Sequence, residues 1–219
     1  MAYPTIDRPY GLKPINLIGG QVFAGATRQL VIASAYGTSI FYGDVVTIVA
    51  GGTIQKDTGT TTATPCGVFL GCSYVNAQGQ VIFQQYYPAS TTAPTGTVIT
   101  AYVADDPDQL YKVVNVAGTT ADDTTSGLLP AYLGRTMIGS NAQLVQNAGS
   151  TASGDSKVAI YTAAGATTTA TLPIRIVDVV PDTANASGNF CEVIVKWNAP
   201  NVTGSVVAGG HQYLNPTGV

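Results

Sequence analysis

Charge is what this sequence has least of. No Lys, Arg, Asp or Glu occurs between residues 58 and 104. Over all 219 residues the charged fraction is 10% and the net charge −3. A protein that works alone in water normally keeps charge on its surface, because charge holds molecules apart and in solution. A chain this poor in charge is built to sit against other protein surfaces, which favours an assembly component over an enzyme. The nine Lys and Arg residues are scattered, and neutralising phosphates needs a basic patch, so nucleic acid is excluded as a partner. No run approaches the roughly 20 apolar residues of a membrane-spanning helix, and the start of the chain lacks the basic-then-apolar order of a secretory signal. The expectation is no membrane partner and a chain synthesised in the cytoplasm. The sequons at Asn185 and Asn201 then carry no meaning.

Cysteine and histidine are equally scarce. Cys66, Cys72 and Cys191 are odd in number and lack metal-type spacing, and Cys66 and Cys72 flank one strand-like run, so buried free thiols are expected. His211 is the only histidine and Glu192 the only glutamate. Any Ser–His–Asp or Cys–His site would have to use His211, and no Gly-x-Ser-x-Gly elbow supplies a nucleophile. A structural or solvent-exposed histidine is the expectation. Asp105, Asp106 and Asp108 form the densest acidic group, but the glycine and distal glutamate of an EF-hand loop are missing. With Pro107 among them they read as a turn. Glu192 reads as solvent-facing or as one half of a cross-strand ion pair. The sequence therefore names no catalytic residue, no cofactor and no metal.

What is abundant is short β-branched runs between turn residues. Strands are expected at 45–49, 53–56, 67–75, 80–87, 97–103, 109–116, 157–161, 172–180 and 192–197, with a hairpin turn at 76–79. In the last strand Val193, Val195 and Trp197 share one face, and Glu192 and Lys196 the other. One helical turn is expected within 127–135. No stripe at helical spacing exceeds two turns, so under about a tenth of the residues should be helical against a usual third. Twelve tyrosines against five phenylalanines suit half-buried strand faces or contact surfaces equally well. The fold expected is mainly β, with one or two small antiparallel barrel or sandwich domains and extended terminal arms. The divisions are an N-terminal arm (1–38), a small β-domain (39–104), a second β-rich region (105–198) and a C-terminal tail (199–219). Val46, Ile48, Val68, Leu70 and Val81 are the expected core of the first domain.

The order Phe41-Tyr42-Gly43-Asp44-Val45-Val46, then Pro65-Cys66-Gly67-Val68-Phe69-Leu70-Gly71, then Asn76-Ala77-Gln78-Gly79-Gln80-Val81 resembles capsid decoration (cement) proteins of tailed phages. In these a Gly-Asp-Val-Val strand leads to a Gly-Val strand and a hairpin. Residues 9–14 and the strand block from Ile174 to Trp197 are similar to structural proteins of cyanophage-type podoviruses. The resemblance covers about residues 9 to 90. It implies a virion protein on the outside of an icosahedral head, bound to the major capsid protein and locking capsomers together, as a homotrimer or else a dimer. Tyr10, Phe23 and Tyr213 would be the arm residues laid on a partner. The alternatives are another virion β-protein (tail-tube, head-fibre or receptor-binding) and a carbohydrate-active enzyme.

Overall fold

The computed structural model describes residues 6, 8–116, 134–161, 168–183, 190–198 and 210–214. Among them there is no α-helix, only two 3-10 turns at Gly134–Met137 and Gln212–Leu214. The fold is mainly β, as the alternation of short apolar runs requires. Twelve strands are formed: β1 Lys13–Leu17, β2 Arg28–Ile32, β3 Val45–Ile48, β4 Ile54–Lys56, β5 Gly67–Val75, β6 Val81–Gln84, β7 Ile99–Ala104, β8 Gln109–Asn115, β9 Asn141–Val145, β10 Ala159–Tyr161, β11 Ile174–Val179 and β12 Cys191–Trp197. The hairpin between β5 and β6 forms where Asn76-Ala77-Gln78-Gly79 demands it. The Asn76 side chain accepts the N–H groups of Gln78 and Gln80, and Gly79 takes φ +81°.

The strands make two closed barrels. In the first, β3, β4, β2, β7 and β5 pair in that order and β5 returns to β3; in the second, β8, β10, β9, β11 and β12 do the same and β12 returns to β8. Each ring has one extra strand outside it, β6 on β5 and β1 on β8. Closure removes the ring's open edges, and the extra strands supply new ones.

The two barrels are copies of one design. Matching β2, β3, β4, β5 and β7 to β8, β9, β10, β11 and β12 reproduces every pairing and every register. The parallel contact Ile32–Ile54 becomes Asn115–Ile160. Antiparallel Ile48–Ile54 becomes Leu144–Ile160, and Val46–Gly67 becomes Ala142–Ile174. Phe69–Val103 becomes Ile176–Val195, and Leu30–Ala101 becomes Val113–Val193. The register shifts once on each matched strand, at Phe69/Gly71 and at Ile176/Asp178. Ahead of β3 and β9 sits a glycine with positive φ, +91° at Gly43 and +85° at Gly139. Gly43 N–H donates to Phe69 C=O at 2.8 Å and Gly139 N–H to Ile176 C=O at 2.9 Å; Phe69 N–H donates to Asp44 C=O and Ile176 N–H to Ser140 C=O, both at 2.9 Å. One slipped residue would turn each strand inside out, so five shared registers and a shared bulge define a structural repeat.

The barrels do not have separate cores. Phe69, Val46, Ile54, Ala101 and Val103 fill the first barrel. Val45, Val68 and Ala104 point out of it into the cluster that fills the second, against Tyr111, Leu144, Ile176 and Trp197. The division near residue 104 is thus a boundary between barrels inside one packed body. At the seam Gly11 and Gly43 approach so closely that a Cβ on Gly11 would lie 2.7 Å from the Gly43 carbonyl oxygen.

Several expectations need correction. Within the expected arm of 1–38, β1 pairs with β8 and β2 is a wall of the first barrel, so these stretches are woven into both sheets. Of the expected tail, residues 210–214 are described, and they lie against the barrels. Gln212 accepts the Ile48 N–H at 2.7 Å and donates to the Ile48 carbonyl at 3.0 Å. Of the expected core, Val46 and Val68 are buried, while Ile48 and Leu70 are half-buried against the two clusters. Val81 is 62% exposed, because β6 lies outside the ring and its register, Val75 opposite Val81, puts it on the outer face. The sequons and most of 127–135 lie outside the described residues.

Candidate interaction surface

The residues that could have carried chemistry are held in structural roles. His211 is fully buried between Trp197 and Tyr213, with ring centroids at 6.3 and 5.1 Å. Its Nδ1 accepts the Tyr213 N–H at 3.2 Å, which leaves the proton on Nε2. Burial holds its pKa below the usual value, opposed by the Asp105 carboxylate and the nearby Cys66 and Asp105 backbone. Nε2 is buried without a hydrogen-bond partner. The adjacent Cys66 is pushed up to about 12, chiefly by burial and then by Asp105. A thiol held protonated is a poor nucleophile. Cys72 and Cys191 are raised by burial too, to about 12 and about 11, and all three cysteines are free and buried.

The acidic loop is a turn with both ends paired. Asp106 Oδ1 accepts the Asp108 N–H at 2.8 Å, Asp105 pairs with Arg28 at 3.2 Å and Asp108 with Lys196 at 3.4 Å. Among the described residues no group of His, Cys, Asp and Glu is placed to hold a metal ion. Glu192 forms the expected ion pair across strands, with Lys112 at 3.1 Å, but it is buried and does not face solvent.

Tyr10, Phe23 and Tyr213 are brought to three different places. Tyr10 lies on the second barrel: its hydroxyl donates to Glu192, its ring is 4.5 Å from the Lys13 ammonium, and burial followed by Glu192 pushes its pKa up. Phe23 packs against the shared core. Tyr213 is 43% exposed, under the Arg28 guanidinium at 5.1 Å. Tyr10 and Phe23 therefore spend their apolar area inside the molecule.

Exposed apolar residues lie elsewhere, at Ile18 (49%) and Val22 (80%) just after β1 and in a larger group on the first barrel. Phe83 is 72% exposed, Val98 58% and Val31 38%, besides Val81. The register sets them side by side: Val31 faces Thr100, Thr100 faces Ser73 and Ser73 faces Phe83. One step along, Val75 faces Val81 and leads toward Val98. Every β5, β6 and β7 residue of this face falls in the charge-free stretch 58–104. Sequence reasoning flagged that stretch but placed Val81 in the core; alternation along 80–87 fixes which residues share a face, not which face is buried. An uncharged strand flanked by glutamines (Gln80, Gln84, Gln85) was the available signal. No family model, curated protein or solved structure matches the chain.

Proposed function

We propose that the chain is a structural component of a tailed-phage virion, a decoration protein that binds the outer surface of the icosahedral head and holds neighbouring capsomers of the major capsid protein together. The observation that carries this reading is the stretch from residue 58 to 104 without one charged side chain, in a chain only 10% charged, a composition suited to lasting contact with other subunits of a particle. Exposed apolar area grouped on one face marks a protein contact. A rigid double barrel presents it without the entropy cost of ordering a flexible segment. The resemblance of residues 9–90 to cement proteins names the kind of partner. The protein acts as a homo-oligomer on the particle, and repeated weak contacts summed over a shell give a firm attachment. The reading makes it a non-enzyme, so His211→Ala leaves particle binding intact provided the fold survives.

The test is reconstitution with heads assembled from the major capsid protein of the same virion. The purified chain should co-sediment with heads at saturable stoichiometry, appear on their exterior in negative-stain images and raise their disruption temperature. Failure to bind assembled heads under these conditions overturns the reading. Turnover of a glycan that disappears in Asp106→Asn would favour a hydrolase instead.

A further inference from the structure

The repeat allows one barrel to be used as a template for the other. On the outside of the second barrel Val114, Val116, Val145, Ala159 and Phe190 form a small apolar cluster, and Ile6, Tyr10 and Tyr161 pack on it. The chain's own N-terminal segment thus covers this face, leaving Val114 0% and Phe190 1% exposed. The matched residues of the first barrel are Val31 and Val98, 38% and 58% exposed, and no segment among the described residues lies over them. The same face of the same barrel is covered once and bare once. The bare copy is enlarged by β6, which has no counterpart among the described residues of the second barrel and adds Val81 and Phe83.

We propose that the β6 edge of this face, with Val81 and Phe83, is the interface with a second copy of the chain, joined across a two-fold axis with β6 of each copy antiparallel to β6 of the other. Three observations select this occupant. β6 ends its sheet, and since Asn76 N–H bonds to Gln80 C=O at the turn, alternation directs the main-chain groups of Val81 and Phe83 away from β5. These groups form a strand edge that an identical antiparallel edge completes. The β5, β6 and β7 residues are free of charge, so two copies can meet there without like-charge repulsion although the chain is net negative. A two-fold contact also needs a patch that meets itself, and Val81 and Phe83 on β6 would meet their own copies across the axis, with Val98 and Val31 farther back on the same face. The segment that covers the matched face of the second barrel is committed there by β1 and Tyr10, so it does not also cover the first barrel.

The measurement is the mass of the purified chain in solution by sedimentation equilibrium over a wide concentration range, with no particles present. Its outcome is therefore independent of head binding: a dimer that ignores heads keeps this inference and removes the decoration reading, and the converse also holds. The unmodified chain should be dimeric, and Val81→Lys/Phe83→Lys should raise the dissociation constant at least about 100-fold by placing charge in a desolvated contact. Both side chains face solvent in the single chain, so the melting temperature extrapolated to low concentration should not change. A monomeric wild type at the highest concentration reached, or a doubly substituted chain that dimerises as tightly as wild type, overturns the proposal. So does an oligomer that survives both lysines, since another face then holds it.

Discussion

The two barrels share every strand register and differ in what they place on the outside. Most matched interior positions stay apolar, such as Leu30 with Val113, Ile48 with Leu144, Phe69 with Ile176 and Val103 with Val195, while Ile32 is matched by Asn115. Matched exterior positions next to the seam diverge. Val45 and Val68 of the first barrel, directly paired, enter the shared core. Their counterparts Asn141 and Arg175 are polar, with Arg175 Nε donating to Asn141 Oδ1 at 2.6 Å and its guanidinium reaching Asn198 at 3.3 Å. The barrels are thus stacked head to tail, and the polar pair closes the stack at the second. This is the role of a capping unit in a repeat array. Interior pattern and bulge fix the barrel, and the outer residues are free to specialise.

The sharpest contrast is at Asp44 and its counterpart Ser140. Asp44 is fully buried and accepts the Phe41 N–H at 2.9 Å, the Ser156 hydroxyl at 2.6 Å and the Lys56 ammonium at 3.0 Å. It ties β4 of its own barrel to the segment before β10 of the other. Ser140 is buried with its hydroxyl unpartnered. Asp44→Ala should cost about 3–5 kcal/mol, because Lys56 is left as a buried unpaired charge. Ser140→Ala should be neutral or stabilise by up to about 1 kcal/mol. Urea midpoints with unchanged slopes measure both; equal losses at the two sites would mean that the barrels use this position alike.

The sequence carried the strands better than the architecture. Eight expected runs form strands within two residues at each end, and 80–87 forms one shorter, because β-branched alternation and Gly-Asn turns are local signals. β2 and β9 were missed, since Arg28-Gln29-Leu30-Val31-Ile32 and Asn141-Ala142-Gln143-Leu144-Val145 carry polar residues that only barrel closure places. β1 lay under a reading of Pro4, Pro9 and Pro14 as an arm; Pro14 is tolerated because β1 is an outer strand. The repeat was invisible because it resides in register. Gly43-Asp44-Val45-Val46 matches Gly139-Ser140-Asn141-Ala142, where only the glycine survives. Of the candidate contact residues, aromatic identity pointed to Tyr10, Phe23 and Tyr213, whereas exposure is decided by which face the chain itself already covers.

That surviving glycine offers a smaller and cleaner contrast. Gly43 and Gly139 have nearly the same positive φ, so an added Cβ strains both backbones by about 1–2 kcal/mol. At Gly139 the Cβ meets nothing within 4 Å, whereas at Gly43 it lies 3.2 Å from Gly11 Cα, Leu12 N and the Tyr10 carbonyl oxygen. Gly139→Ala should therefore show the conformational cost alone, and Gly43→Ala should cost roughly 1 kcal/mol more as the seam between barrels is pushed apart. Should Gly139→Ala be the more damaging in thermal melts, the close approach at the seam is not what Gly43 serves.

The smallest effect tests whether the barrels unfold as one body, and it comes from His211 at their junction. Burial lowers its pKa in the folded protein, while in the unfolded chain it titrates near 6.5. Below about pH 6.5 the unfolded chain therefore binds a proton that the folded chain does not. The stability contribution is complete above that pH and declines as pH falls toward the folded pKa, by at most about 1.4 kcal/mol per pH unit. Asp57, raised by burial, acts with the opposite sign, because the folded state then holds the extra proton as pH falls toward the carboxylate range. Comparing wild type with His211→Gln at each pH cancels the carboxylates. The wild type should lose stability between pH 7 and 5.5 relative to the variant, in a single transition seen equally by Trp197 fluorescence, which reports the second barrel, and by far-ultraviolet circular dichroism, which reports both. Two separated transitions, with only the fluorescence one moving with pH, would show that the barrels unfold independently despite the core they share.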